Sequence, residues 1–151
     1  MPTNPSQQDL AIRLALAVKR IRARFHDAWP ERAKALPISR IAILKRLRDD
    51  GPSTAASLAN AEHVSQQAIA QHVAALRAAG LVKTAPDRAD GRKILVSVTK
   101  SGTKLFEAAV ESRNAWLARA IASEITPKEQ SALAKAIDLL ERLASADLAT
   151  D

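Results

Sequence analysis

Gln66, Gln67 and Gln71 fall on one face of a segment that reads as an amphipathic helix, and their amides are the groups of this chain best suited to reading another molecule. A primary amide holds a donor beside an acceptor, so it can pair twice with the edge of an adenine in a major groove. Ala70 shares that face and is small enough for close approach or for contact with a thymine methyl. Arg77 and His72 complete the candidate reading set, and Ile69, Val73 and Leu76 recur at helical spacing on the opposite side, as a core-facing stripe requires. Ser65 is suited to cap the first turn and Gly80 to stop the last one. An uncharged polar face is also what an ordinary solvated helix presents, so the neighbouring segments decide its meaning.

A shorter helix is expected from Ser53 or Thr54 to Ala61, with Leu58 and Ala61 turned inward. His63 then occupies the tight turn, a position that demands positive φ, and Val64 is expected to close the small core between the two helices. After Gly80 the period changes. Leu81 and Val82 begin a strand, residues 86 to 92 are rich in turn formers, and Ile94, Val96 and Val98 alternate as the return strand. The hairpin tip is basic: Arg92 suits insertion into a narrow minor groove, and Lys83, Arg88 and Lys93 suit phosphates. Asp90, two residues from Arg92, is expected to orient that guanidinium and to satisfy turn N–H groups. With the hydroxyls of Ser53, Thr54 and Ser65 at the helix starts, these residues form one candidate DNA-facing surface. Helix, turn, helix, strand, basic loop, strand is the order of a winged helix-turn-helix.

Long helices must hold this module. Ser6 with Asp9 marks a helix start, and Leu10, Leu14, Ala17, Val18, Ile21 and Phe25 form an apolar stripe opposite Arg13, Lys19, Arg20, Arg22 and Arg24. Such a basic amphipathic helix can approach a membrane surface or nucleic acid, but half-burial in a dimer is the simpler expectation. A helix from Ile38 to Asp50 turns Ile41, Leu44 and Leu47 inward and ends at Gly51-Pro52. Thr99 is a plausible cap for a helix running to about Ser123 through Leu105, Ala109, Trp116, Ala120 and Ile121. Thr126, Pro127 and Glu129 then open a last helix with Leu133, Ile137, Leu140 and Leu143 on one side. The fold expected is mainly α with a small β-hairpin wing, divided as a dimerisation helix (1–36), a winged helix-turn-helix (37–99) and C-terminal dimerisation helices (100–151).

Charge follows this division. Basic residues outnumber acidic ones eleven to five up to Asp50 and seven to three from Gly51 to Lys104, while five basic face eight acidic beyond. A positive reading head and first helix are what a phosphate surface requires. The chain has no Cys and one Met, at position 1, which excludes a thiol redox sensor, a thiolate metal site and a methionine-lined binding surface. His26, His63 and His72 lack metal-ligand spacing, and no Gly-rich phosphate loop or paired nucleophile and base is present, so neither a metal nor an enzymatic activity is expected. No basic leader precedes a clean apolar run, and Arg13 interrupts the first one; a cytoplasmic, nucleoid-associated protein that does not enter membranes is expected.

Leu58-Ala59, Val64-Ser65-Gln66, Leu76 to Val82, Asp90-Gly91-Arg92 and Leu95 to Thr99 with Gly102 together resemble the DNA-binding core of the MarR family of bacterial transcription regulators. Trp116-Leu117 and Thr126 to Glu129 resemble its dimerisation region. The resemblance implies a homodimer that binds double-stranded DNA at a pseudo-palindromic operator, acts as a repressor, and is released by a small aromatic or anionic effector, with no other cofactor. It differs from many members in carrying Gln71, Thr84 and Gly91 where Arg is usual, which implies lighter electrostatic contact and more weight on the glutamines and Arg92. His26, Trp29 and Arg40, near the junction of the first two helices, are the candidate effector residues; core packing of Trp29 is the competing expectation. The alternative function is an architectural nucleoid-type binder with little sequence preference, followed by a winged helix that binds protein.

Overall fold

In the computed structural model, which describes residues 5–147, the elements run α1 (Gln7–Ala28), α2 (Glu31–Lys34), α3 (Ile38–Asp50), β1 (Ser53–Thr54), α4 (Ala55–Glu62), α5 (Gln66–Ala78), β2 (Val82–Pro86), β3 (Ile94–Val98), α6 (Lys100–Glu124) and α7 (Pro127–Ala144). The chain forms two compact units, Met1–Arg113 and Asn114–Asp151, with the boundary inside α6.

The helix starts are set by local side-chain chemistry. Ser6 and Asp9 exchange the reciprocal bonds of a capping box at α1, and Thr126 and Glu129 do the same at α7 with Pro127 in the first turn. Thr54 and Ser65 each accept a backbone N–H three residues on, from Ser57 and Ala68 at 3.1 Å. Three helix ends of the first unit use residues of positive φ, Gly51 (φ 85°) closing α3. His63 (φ 55°, ψ 42°) ends α4, with Val64 N–H donating to the Ala59 carbonyl at 3.0 Å. Gly80 (φ 73°) ends α5, where its N–H donates to Arg77 and that of Leu81 donates to Leu76, both at 2.9 Å. Each pair is the crossed pattern that satisfies the last helix carbonyls. The expectation that His63 would supply positive φ is met.

The first unit is built on Ile41, Ile43, Leu44 and Leu47 of α3, Leu58 of α4, Ile69, Val73 and Leu76 of α5, Leu81, Val82 and Val96 around the sheet, and Leu105, Phe106 and Ala109 of α6, all at or below 9% exposure. The sheet has three strands in the order β1-β3-β2, all antiparallel, where the sequence suggested only a hairpin. Ser53 pairs with Val96 and Thr54 with Leu95, so the two residues expected to open the first helix form an edge strand before it. Helix α2, one turn between Pro30 and Pro37, was also not expected.

Three burial expectations are corrected. Val64 is 43% exposed and so does not close the core between α4 and α5; it stands directly before the Ser65 cap, where the chain runs along the surface. Ala59, at 4%, is the fully buried partner of Leu58, with Ala61 only half-buried, because the inward stripe of this short helix lies at consecutive positions. Ile94 is 51% exposed despite its alternation with Val96, because it pairs with Pro86 at the loop end of the hairpin, next to the wing tip.

No residue of α1 or α7 is buried. Leu10, Ile12, Leu16, Val18 and Ile21 on α1 and Ile137, Leu139, Leu140 and Leu143 on α7 are all 40 to 61% exposed. No helix among the described residues is long and apolar enough to cross a membrane.

Candidate nucleic-acid interface

Helix α5 turns Ile69, Val73 and Leu76 into the core and leaves Gln66, Gln67, Ala70, Gln71 and Arg77 exposed, as its period requires. The five residues therefore share one outer face. His72 sits at the margin of that face: it is half-buried, and its Nδ1 is fully covered with no hydrogen-bond partner. Ser65, at the N-terminal end of the helix, is exposed but already engaged as its cap, while Ser53 and Thr54 are half-buried in the edge strand.

The wing is a seven-residue loop, residues 87 to 93, closed by its own backbone. Asp87 N–H donates to the Lys93 carbonyl at 2.8 Å and Lys93 N–H to the Asp90 carbonyl at 2.9 Å. Asp87 Oδ1 accepts from Ala89 N–H at 2.9 Å, and Asp90 Oδ1 accepts from Arg92 N–H at 3.2 Å, so both acids serve the turn. The Arg92 guanidinium stands 3.8 Å from Asp90 with its side chain 97% exposed. Asp90 thus restrains the base of Arg92 and leaves its head in solvent. Lys83, Arg88 and Lys93 are exposed as well.

The cations of α3 differ from those of α5 and the wing. Along the later turns of α3 they are paired: Lys45 with Asp49 at 2.8 Å, Arg46 with Glu62 at 2.6 Å, and Arg48 with Glu107 at 3.6 Å while lying 5.3 Å from the Phe106 ring centre. The Glu62 hydrogen bond, the largest influence, raises the Arg46 pKa above its ordinary value, and the Lys45 hydrogen bond lowers that of Asp49. On α5 and the wing, among the described residues, Arg77, Lys83, Arg88 and Lys93 have no ion pair, and Arg92 has only the long one. The cations of α5 and the wing thus remain uncompensated while sharing a module with the uncharged glutamine face.

The candidate effector residues are only partly brought together. The His26 and Trp29 rings lie 5.1 Å apart, Trp29 is packed against the core, and Arg40 is half-buried with its Nε covered and without a partner. None of the three lines the nearby pocket of about 290 Å³, whose walls are Pro30, Arg32 and Ala33 on one side and Ser101, Lys104, Leu105 and Ala108 on the other. The sequence signal missed here is a pair of cations, Arg32 and Lys104, which no helical period places together.

This fold and surface define a winged helix-turn-helix of the kind that binds duplex DNA. A model of a helix-turn-helix domain matches residues 39–85. The chain is 34% identical over 135 residues to an HTH-type transcriptional regulator of Mycobacterium tuberculosis, covering 89% of this chain and 92% of that one. It is 44% identical over 64 residues, 42% of this chain and 40% of the other, to the HTH-type transcriptional repressor NicR of Pseudomonas putida. Among solved structures it is similar to a MarR family protein from Bacillus stearothermophilus (TM-score 0.72, 18% identity, 92% of this chain and 95% of that one). It is also similar to BpsR of Bordetella bronchiseptica, described for regulation of its DNA binding by 6-hydroxynicotinic acid (TM-score 0.62, 26% identity, 97% and 100%). The chain belongs to the HTH-type transcriptional regulators and has the fold of the MarR family protein.

Proposed function

We propose that this protein is a homodimeric repressor that binds a pseudo-palindromic operator and is released by a small aromatic carboxylate. The observation that carries the DNA reading is the uncharged, exposed face of Gln66, Gln67, Ala70 and Gln71 in a module whose Arg77, Lys83, Arg88 and Lys93 have no ion pair among the described residues and whose Arg92 has only a long one. Glutamines and Ala70 read base edges, Arg92 enters the minor groove, and Arg77, Lys83, Arg88 and Lys93 hold phosphates. His72 contacts the duplex from the margin of that face, and Ser53, Thr54 and Ser65 line the backbone side. The bare apolar faces of α1 and α7 support association with a second copy, which would set two reading helices roughly 34 Å apart on successive turns.

The pocket beside α2 supports the effector. Two cations over Pro30 and Leu105 suit a flat ring bearing a carboxylate, and about 290 Å³ lies near the lower bound for small-molecule sites. Release needs only that the ligand favour a dimer geometry in which the two helices no longer match successive grooves.

Selection of bound sites from random duplex DNA at two salt concentrations tests this. An inverted repeat with half-sites one turn apart is expected to survive the higher salt; salt-sensitive binding without a motif would instead mean an architectural binder. Gln71→Ala is expected to alter the selected bases, and an identical motif would remove Gln71 from the readout. Titration of the bound operator with 6-hydroxynicotinic acid tests the effector class.

A further inference from the structure

The segment Val96-Ser97-Val98-Thr99 with Gly102 has so far served only as the wing's return strand and the start of a helix. Its geometry does more. Thr99 Oγ1 accepts from Gly102 N–H at 3.1 Å, capping α6, and donates to the Gly80 carbonyl at 2.7 Å. Thr99 N–H donates to the Leu81 carbonyl at 3.0 Å. Gly80 and Leu81 are the two residues that close the C-terminal end of α5. Gly102 completes the junction by having no side chain: a Cβ there would fall on the Leu81 carbonyl oxygen and 2.7 Å from Val98 Cγ2. The first turn of α6 thus lies directly on the turn that ends the glutamine-bearing helix, and one hydroxyl bonds to both.

We infer that Thr99 is a positioning residue for base reading, its hydroxyl fixing the tilt of α5 against α6 by holding the Gly80 carbonyl. This rests on the operator reading above. The leverage is large: α5 rises about 1.5 Å per residue, so Gln66 lies roughly 20 Å along the axis from Gly80, and a tilt of about 10° moves it about 3.5 Å. Bidentate pairing tolerates only a few tenths of an ångström around about 2.9 Å. Phosphate contacts made by long, exposed Arg and Lys side chains adapt to such a shift. Loosening the junction therefore removes base discrimination and leaves general DNA binding.

The two bonds of the hydroxyl can be separated. Thr99→Asp keeps an acceptor for Gly102 N–H, and with it the helix cap, but has no proton for the Gly80 carbonyl; Thr99→Ser keeps both bonds. Binding is measured by fluorescence anisotropy on the selected operator and on a scrambled duplex of equal length, at a temperature where thermal melts show each variant fully folded. The ratio of the two affinities cancels any effect of the added charge on phosphate binding. The expected result is a ratio lowered roughly tenfold in Thr99→Asp, as loss of one oriented hydrogen bond allows, and unchanged in Thr99→Ser. Thr99→Val, which removes both bonds at nearly constant shape, is expected to lower the ratio as well, and it replaces the aspartate if that variant does not fold. An unchanged ratio in folded Thr99→Asp or Thr99→Val, a lowered ratio in Thr99→Ser, or failure of both larger changes to fold would each overturn the assignment by leaving the junction a purely structural element. If the wild-type protein itself shows no preference for any operator, the operator reading fails first and the inference falls with it.

Discussion

The reading head and the flanking helices are written in the same Ala- and Leu-rich alphabet, yet they differ in how they close. From Ile38 to Val98 the large apolar side chains mostly find cover within the chain: Ile43, Leu44, Leu47, Leu58, Ile69, Leu76 and Leu81 are all below 2% exposure. On α1 and α7 no residue is buried, and nine large apolar side chains across the two helices remain 40 to 61% exposed. Burying such a side chain fully stabilises by about 1.5 to 3 kcal/mol, so the head has taken this gain and the flanking helices have not. The head is thus a finished module, and the flanking helices are surfaces that a second copy of the chain would complete.

Placing a charge on the unfinished surface is the strongest way to break this division. Leu140→Glu puts a carboxylate on the exposed stripe of α7, and burying it unpaired in a dimer costs about 3 kcal/mol or more. Sedimentation should show monomers, and operator affinity should fall by roughly a hundredfold or more, since one head would bind alone. The head should keep its own cooperative melt. A dimer that persists with full affinity would mean that α7 is not its interface.

Within the finished module, the glycines give the next contrast. Gly102→Ala forces a methyl onto the Leu81 carbonyl and Val98, and should destabilise the first unit by about 2 kcal/mol in urea melts, in the range for overpacking. Gly91→Ala meets nothing within 4 Å and should shift stability by less than about 0.5 kcal/mol. Equal effects at the two positions would show that the α6 junction is not tightly packed.

Arg92→Ala should separate function from stability in the same module. With 97% of its side chain exposed, its loss should leave the melt unchanged while weakening operator binding by about 1 to 3 kcal/mol. Unchanged affinity would remove the wing tip from the interface.

What was legible in the sequence follows the same division. Periodic stripes, helix caps and the two left-handed residues, His63 and Gly80, are local signals, and each appears where its chemistry puts it. Strand β1 was not legible because two residues carry no alternation, and their pairing with Leu95 and Val96 closes over some forty positions. Burial was misjudged where position in space outweighs pattern, as at Val64 beside a helix cap and Ile94 at the loop end of the hairpin. The glutamine face could be read because helical period alone puts it outside. The neutralisation of the α3 cations could not, since Arg46 with Glu62 and Arg48 with Glu107 join residues from different helices. That pairing neutralises cations of α3, while those of α5 and the wing stay without close acidic partners among the described residues.

The smallest effect expected lies at the cap of α7. Glu129 accepts from the Thr126 N–H at 2.9 Å and from its hydroxyl at 2.8 Å, and these bonds, the backbone one foremost, hold its pKa below the ordinary glutamate value against a smaller opposing effect of desolvation. A carboxylate whose folded pKa is lowered contributes stability that is fully present above its unfolded value and is lost as pH falls through the folded one. Glu129→Gln retains a capping-box residue but does not titrate there. Thermal melts at pH 7 and pH 3 should therefore converge slightly more in the glutamine variant than in the wild type. The difference should be easier to see in a Leu140→Lys background, whose charge persists at both pH values, so that no second copy holds α7 and the cap is a larger share of what keeps the helix formed. If Glu129→Gln leaves the pH dependence unaltered even there, the capping box does not contribute through its charge, and α7 depends on the partner surface alone.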